Sequence, residues 1–157
     1  MRYRNRHRLK DKKVQKYLDE IRTKLGDIPF DVGEDIDIAT TSAGKVLLSG
    51  DTPVVAFFEE GMFPTIHGLL SMKATKAYVT VDMGAVKFIY NGADVMAPGI
   101  VDADDEIVEG QFVWIKDESH GKPLAVGKAL TGGKRMVESN QGKVVKTLHH
   151  IGDEMFS

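Results

Sequence analysis

The sequence predicts an α+β protein in two small parts, a mixed α/β N-terminal domain followed by a C-terminal domain built mostly of strands. Three observations carry this expectation. An early segment places apolar residues at helical spacing, short runs rich in Val, Ile, Leu and Phe follow between glycine turns, and after Lys73 strands dominate. The 157 residues, 42% of them apolar with a formal net charge of −2, exclude a chain held open by its own charge.

The first element is an amphipathic helix from Leu9 to Leu25, in which Val14, Tyr17, Leu18, Ile21 and Leu25 recur on one face and Gly26 marks the stop. Ile36 to Thr41, Lys45 to Ser49 and Val54 to Glu59 read as strands. Ser42-Ala43-Gly44 and Gly50-Asp51-Thr52-Pro53 supply the turns between them. Gly61 opens a loop, and Pro64 precedes a short helix over Thr65 to Met72 with Ile66, Leu69 and Leu70 on one side. Phe57, Phe58 and Phe63, with Met62 and Pro64, are expected in the core of this first domain, residues 1–74. A linker over Met72 to Lys76 leads into the second domain, residues 75–157.

There the strands are Ala77 to Asp82, Phe112 to Lys116, Leu124 to Leu130 and Lys143 to Leu148. Between the first two lies the most informative stretch, residues 81–100. Asp82 can cap a helix of two or three turns, and Gly92 can end it in the left-handed conformation. Ala85, Phe88 and Ile89 then face a core. Lys87 and Asn91, four residues apart, share another face beside the Gly92 turn, so a cation, an amide and exposed glycine backbone meet. Trp114, between Val113 and Ile115, reads as barrel core rather than as a stacking surface.

The remaining features exclude more than they assign. No window reaches the roughly 18 apolar residues of a membrane span, and no secretory segment opens the chain, so a cytoplasmic protein is expected. The absence of cysteine removes disulfides and thiolate metal sites. The acidic run Asp102, Asp104, Asp105, Glu106 and Glu109 lacks the ordered spacing of a calcium loop and reads as solvated. His149 and His150 point to opposite faces of a strand, one packed and one exposed, and cannot grip a metal together. His67 and His120 stand alone. No metal, cofactor or catalytic residue is expected.

Basic residues crowd the start: Arg2, Arg4, Arg6, Arg8, Lys10, Lys12 and Lys13. The alternating arginines favour neither helix nor strand. Arg2, Arg4, Arg6 and Arg8 form either a solubilising tail or an arm that reaches RNA phosphate and weakens with salt. Lys116, Lys122, Lys128, Lys134 and Arg135, if gathered on one side of the second domain, would widen such a footprint.

Val81-Asp82, Gly84-Ala85, Gly92-Ala93-Asp94-Val95-Met96, Pro98-Gly99-Ile100, Ala125-Val126-Gly127 and His149-His150-Ile151 together resemble the PUA domain, named after pseudouridine synthases and archaeosine transglycosylases. Upstream, Gly44 to Leu70 resembles the N-terminal domain of the malignant T-cell amplified sequence family, also called translation machinery-associated, and its archaeal branch. With the ending around Gly152 to Phe156, the resemblance spans all but the arginine-rich beginning.

The resemblance implies an N-terminal α/β domain followed by a C-terminal PUA β pseudo-barrel. It implies an RNA-binding, ribosome-associated translation factor that docks on ribosomal RNA or tRNA, a binding protein rather than an enzyme. Its implied partners are structured RNA, the small ribosomal subunit and a density-regulated-protein-like chain. Carried onto this sequence, the RNA groove comprises Lys87, Asn91, Gly92, Ala93, Asp94, Val95, Pro98 and Gly99. Backbone N–H and C=O groups of the glycine turn would meet bases or ribose while Lys87 meets phosphate. Two alternatives stand beside it: an accessory non-catalytic subunit of an RNA-modification enzyme, and a protein-interaction module without RNA affinity.

Overall fold

Where a strand is to be covered on one side only, apolar residues alternate; where both sides are covered, they run on without a break. The central strands of the N-terminal part are of the second kind. The computed structural model, which describes residues 2–26, 35–59 and 61–155, shows what covers them. It divides into two units, the first reaching Ala74 and taking in the chain from Glu154 onward, the second running from Thr75 to Asp153.

In the first unit the elements are β1 (Arg4–Arg8), α1 (Asp11–Leu25), β2 (Ile36–Thr41), β3 (Gly44–Ser49), β4 (Thr52–Phe58), β5 (Gly61–Pro64) and α2 (Ile66–Leu70). The five strands form one antiparallel sheet in sequence order. Ala39, Val46, Leu48 and Ala56 cluster on one face with Met155, while Leu47 and Val55, of opposite parity, are buried as well. Helix α1 buries Val14, Leu18, Ile21 and Leu25; its Tyr17 ring meets Phe57 edge-on at 5.4 Å, and Lys24 donates to the Met62 carbonyl. Thr65 caps α2: its buried hydroxyl accepts from the Gly68 N–H at 3.1 Å and donates to the Pro53 carbonyl at 2.7 Å.

Three expectations change here. Gly61 to Pro64 is a strand, not a loop, and places Phe63 opposite Ala56 with its side chain fully buried. Leu70 is 54% exposed although Ile66 and Leu69 are covered. The arginine-rich start is an edge strand rather than a free tail or reaching arm. Arg6 bonds Asp37 at 2.8 Å and Asp51 at 2.9 Å, and Arg8 bonds Asp37 at 2.6 Å. The Arg8 and Arg6 guanidiniums hold the Asp37 carboxyl below the usual range. Cross-strand charge pairing thus stands in for the apolar contacts that β1 lacks. Arg2 and Arg4 remain exposed.

The second unit contains β6 (Tyr78–Val81), α3 (Val86–Tyr90), β7 (Val95–Met96), a single 3-10 turn (Ala97–Gly99), β8 (Ile100–Ala103), β9 (Phe112–Asp117), β10 (Pro123–Ala129), α4 (Gly133–Glu138) and β11 (Lys143–His150). Its sheet has the order β7-β11-β10-β9-β6-β8, antiparallel except for the parallel pair β6 and β9. The two outermost strands, β7 and β8, are consecutive in the chain. The 3-10 turn that joins them draws the ends of the sheet together into a nearly closed barrel, as the α+β expectation requires.

Val79, Val81, Ile89, Val95, Val113, Ile115, Leu124, Met136 and Val145 fill this barrel. Trp114 is buried, but not in the barrel as expected: Val113 and Ile115 on either side of it enter the barrel core, so Trp114 takes the other face of β9, where its indole N–H donates to the Lys76 carbonyl at 2.9 Å. At Gly127 the backbone of β11 comes so close that a Cβ would stand 2.6 Å from a Val145 methyl, and the ladder bulges there. In the acidic run, Asp104 is not merely solvated: it accepts from the N–H groups of Ala77 at 2.7 Å and Glu106 at 3.0 Å. Asp102, Asp105, Glu106 and Glu109 are exposed. Among the described residues no cluster of His, Asp or Glu could hold a metal, and no helix is long and apolar enough to cross a membrane.

Candidate nucleic-acid interface

Asp82 begins the site as its residue type suggests, with Oδ1 accepting from the Ala85 N–H at 3.0 Å. Residues 83–85 only turn, however, and α3 proper has five residues instead of two or three turns. At its end the Gly92 N–H reaches the Ile89 carbonyl at 2.9 Å and the Ala93 N–H reaches that of Phe88 at 3.0 Å. With Gly92 at φ 84°, this is a Schellman cap. The Asn91 amide donates to the Lys87 carbonyl at 3.1 Å. The glycine turn therefore spends its N–H groups on ending the helix, and the expected open donors for RNA are absent from Gly92 and Ala93.

So short a helix buries only one residue well. Ile89 enters the barrel, whereas Phe88, expected beside it in the core, is 57% exposed. Its ring stands on one wall of a groove of about 580 Å³. Gly84, Ala85, Ala93, Val95, Met96, Pro98 and Gly99 line the same groove. Of the residues carried over from the family pattern, Ala93, Asp94, Val95, Pro98 and Gly99 line this groove. Lys87, Asn91 and Gly92 do not; Lys87 lies on the exposed outer side of α3, with its ammonium 5.2 Å from the centre of the Phe88 ring.

The cation at the groove is Lys143, the first residue of β11, brought there because β11 pairs with β7 and sets Lys143 opposite Met96. Its ammonium lies 2.8 Å from Asp94. Asp94 also accepts from the Thr147 N–H at 2.9 Å, and the Thr147 hydroxyl donates to the Ala93 carbonyl at 2.9 Å. The Lys143 ammonium lowers the Asp94 carboxyl below its ordinary value; burial opposes the shift and the Thr147 N–H adds to it.

A second group flanks the turn. His149 is fully buried and bonded to Asp153 at 2.7 Å, but His150, on the other side of β11, is half-buried. Its Nδ1 lies 2.8 Å from the Ile151 carbonyl and so carries the hydrogen, which leaves Nε2 of the neutral ring as an acceptor. A Cβ on Gly92 would come within 3.0 Å of that nitrogen.

Phe88 as a surface residue, Met96, Lys143 and His150 are thus the site residues that sequence reasoning did not assign. Met96 and His150 had a local signal, their places in the Gly92-Ala93-Asp94-Val95-Met96 and His149-His150-Ile151 segments. Chemically the groove is an open apolar cleft with a cation on its rim. It suits a planar, unstacked ring and a neighbouring anion. Asp82 and Asp94, the carboxylates in its lining, are both held by backbone N–H groups, and no Ser, Cys or His lines it.

Residues 77–151 match the PUA domain model, and residues 5–72 match a domain family designated DUF1947. The second match takes in Arg6 and Arg8, so the family likeness includes the arginine-rich strand that the sequence reading left outside it. The chain is 41% identical over 146 residues to MJ1432 of Methanocaldococcus jannaschii, covering 93% of this chain and 90% of that one. It is 28% identical over 155 residues to translation machinery-associated protein 20 of Saccharomyces cerevisiae, covering 92% and 80%. The solved structure of a conserved PUA domain protein from Thermoplasma acidophilum superposes with a TM-score of 0.83 at 27% identity, covering 97% of each chain.

Proposed function

The chain belongs to the archaeal branch of the malignant T-cell amplified sequence and translation machinery-associated family, a DUF1947 domain joined to a PUA domain, and on that premise we propose that it is an RNA-binding factor of translation whose ligand enters the groove beside α3. The observation that carries the reading is the groove itself, an apolar cleft lined by the exposed Phe88 and Met96 and by the cation Lys143. An unstacked base at a single-stranded end packs against these apolar side chains, and its phosphate meets Lys143. Ala93, Val95, Pro98 and Gly99 line the cleft. Gly92, Asn91 and Asp94 hold the turn in place, and Lys87 meets backbone phosphate outside the cleft.

In this reading the protein binds and positions RNA without transforming it. Structured RNA of the small ribosomal subunit or a tRNA end is the ligand class, and a density-regulated-protein-like chain is the protein partner. Anisotropy titrations with tRNA and with small-subunit RNA, across a salt series, test the RNA claim; no binding to either at low salt sinks it. Sedimentation of cell extract tests the ribosomal claim. Its absence from ribosomal fractions, with a modifying enzyme as companion, would favour the accessory-subunit alternative.

A further inference from the structure

We propose that the corner between β1 and α1 is a second RNA site, one that takes consecutive phosphates of the backbone. A concavity of about 520 Å³ lies there, floored by the buried Leu9 and ringed by His7, Arg8, Lys10, Lys12, Lys13 and Lys16. No carboxylate lines it.

The lysines of this corner differ from the paired cations nearest to them. Farther along the same helix the cations are paired, Arg22 with Asp19 at 2.9 Å and Lys24 with Glu20 at 3.2 Å. On β1, Arg6 and Arg8 are held by Asp37. Lys10, Lys12, Lys13 and Lys16 have no carboxylate partner among the described residues. Lys12 and Lys16 stand four apart on α1, and Lys13 and Lys16 three apart, spacings at which like charges repel. The chain as a whole carries a formal charge of −2, so the corner is a local concentration, not a sample of a basic protein.

Geometry selects a polyanion over a single ion. Lys10 to Lys16 extends about 9 Å along the helix axis, more than one phosphate group can satisfy. The bulge in β1, where Arg4 opposes Thr40 but His7 opposes Ile38, re-aims the strand at this point. Flexible ammonium groups around an apolar floor make sequence-independent contacts with phosphate, the contacts that set register without reading bases. The choice of RNA over another polyanion rests on the RNA-binding reading of the PUA groove.

The test uses the full chain and unfractionated tRNA over a sodium chloride series. It compares the wild type with Lys12→Gln/Lys13→Gln/Lys16→Gln and with the groove variant Phe88→Ala/Lys143→Glu. All five positions are outside the core, and thermal melts verify that each variant folds. The triple variant is expected to bind about tenfold or more weakly at low salt, with a slope of log affinity against log salt shallower by about 2, from roughly 0.7–0.9 per lost phosphate contact. An unchanged affinity and slope in the triple variant overturns the proposal. If the groove variant binds normally while the triple variant is weakened, the corner stands and the groove reading falls; if the wild type does not bind tRNA, both fall. Binding of phosphatidylglycerol vesicles or polyglutamate that the triple variant abolishes, with tRNA affinity left intact, also overturns it.

Discussion

The ammonium of Lys143 lies 2.8 Å from the carboxylate of Asp94, and this contact ties the loop behind α3 to the start of β11 at the rim of the groove. The two partners are not equivalent. Asp94 has its oxygens committed to Lys143 and to the Thr147 N–H, whereas an ammonium has three donors and spends one here. Lys143 can therefore keep its place and still receive a phosphate.

Lys143→Glu is expected to weaken tRNA binding by about tenfold and to reduce the salt slope by about 1, the signature of one lost phosphate contact. Asp94→Ala acts on the scaffold instead. It strands the Thr147 N–H and frees the loop from β11, at a cost of about 1–2 kcal/mol in urea unfolding. A variant at Asp94 that leaves the unfolding midpoint unchanged would show the loop to be held by other contacts.

Stability should fall in acid through Asp94 and Asp117. Burial alone would raise the Asp117 carboxyl, but the N–H groups of His120, Lys122 and Ser119 outweigh it and leave the group below its ordinary value. A carboxyl depressed on folding stabilises fully above its unfolded pKa of about 3.9, and this contribution is lost as pH falls through the lower folded value. Asp117→Asn should therefore flatten the acid limb of a stability–pH curve below about pH 4. Parallel curves for variant and wild type would refute the assignment.

Gly92→Ala meets two penalties, a φ of 84° and a Cβ within 3.0 Å of the His150 ring. Together they should cost about 1–2 kcal/mol. Adding His150→Ala removes the second penalty and keeps the first, so the double variant should recover only part of the loss. Full recovery would mean that the left-handed turn is unstrained for alanine.

Phe88→Ala separates a surface role from a core role. With 57% of the residue exposed, its removal should change stability by no more than about 0.5 kcal/mol. If the ring stacks on a base, RNA binding should weaken by about 1–3 kcal/mol. A large loss of stability without an effect on RNA would return Phe88 to the core.

By itself the sequence determined the local elements and their class. The apolar period of α1, the unbroken apolar runs of β3 and β4, the glycine at the end of α3 and the burial of Trp114 depend on neighbours within a few residues, and all were legible. The ordered glycine pattern also identified the family. Tertiary structure alone decided what lies across a strand from what. Arginines that read as either a tail or a reaching arm became β1 because Asp37, about thirty residues away, faces them. Lys143 reached the groove because β11 pairs with a two-residue strand that no periodicity announces, and Phe88 turned outward because α3 stopped after five residues. Local period records which faces are apolar; the partner of each face is set by pairing between distant segments, and the groove is made of such pairings.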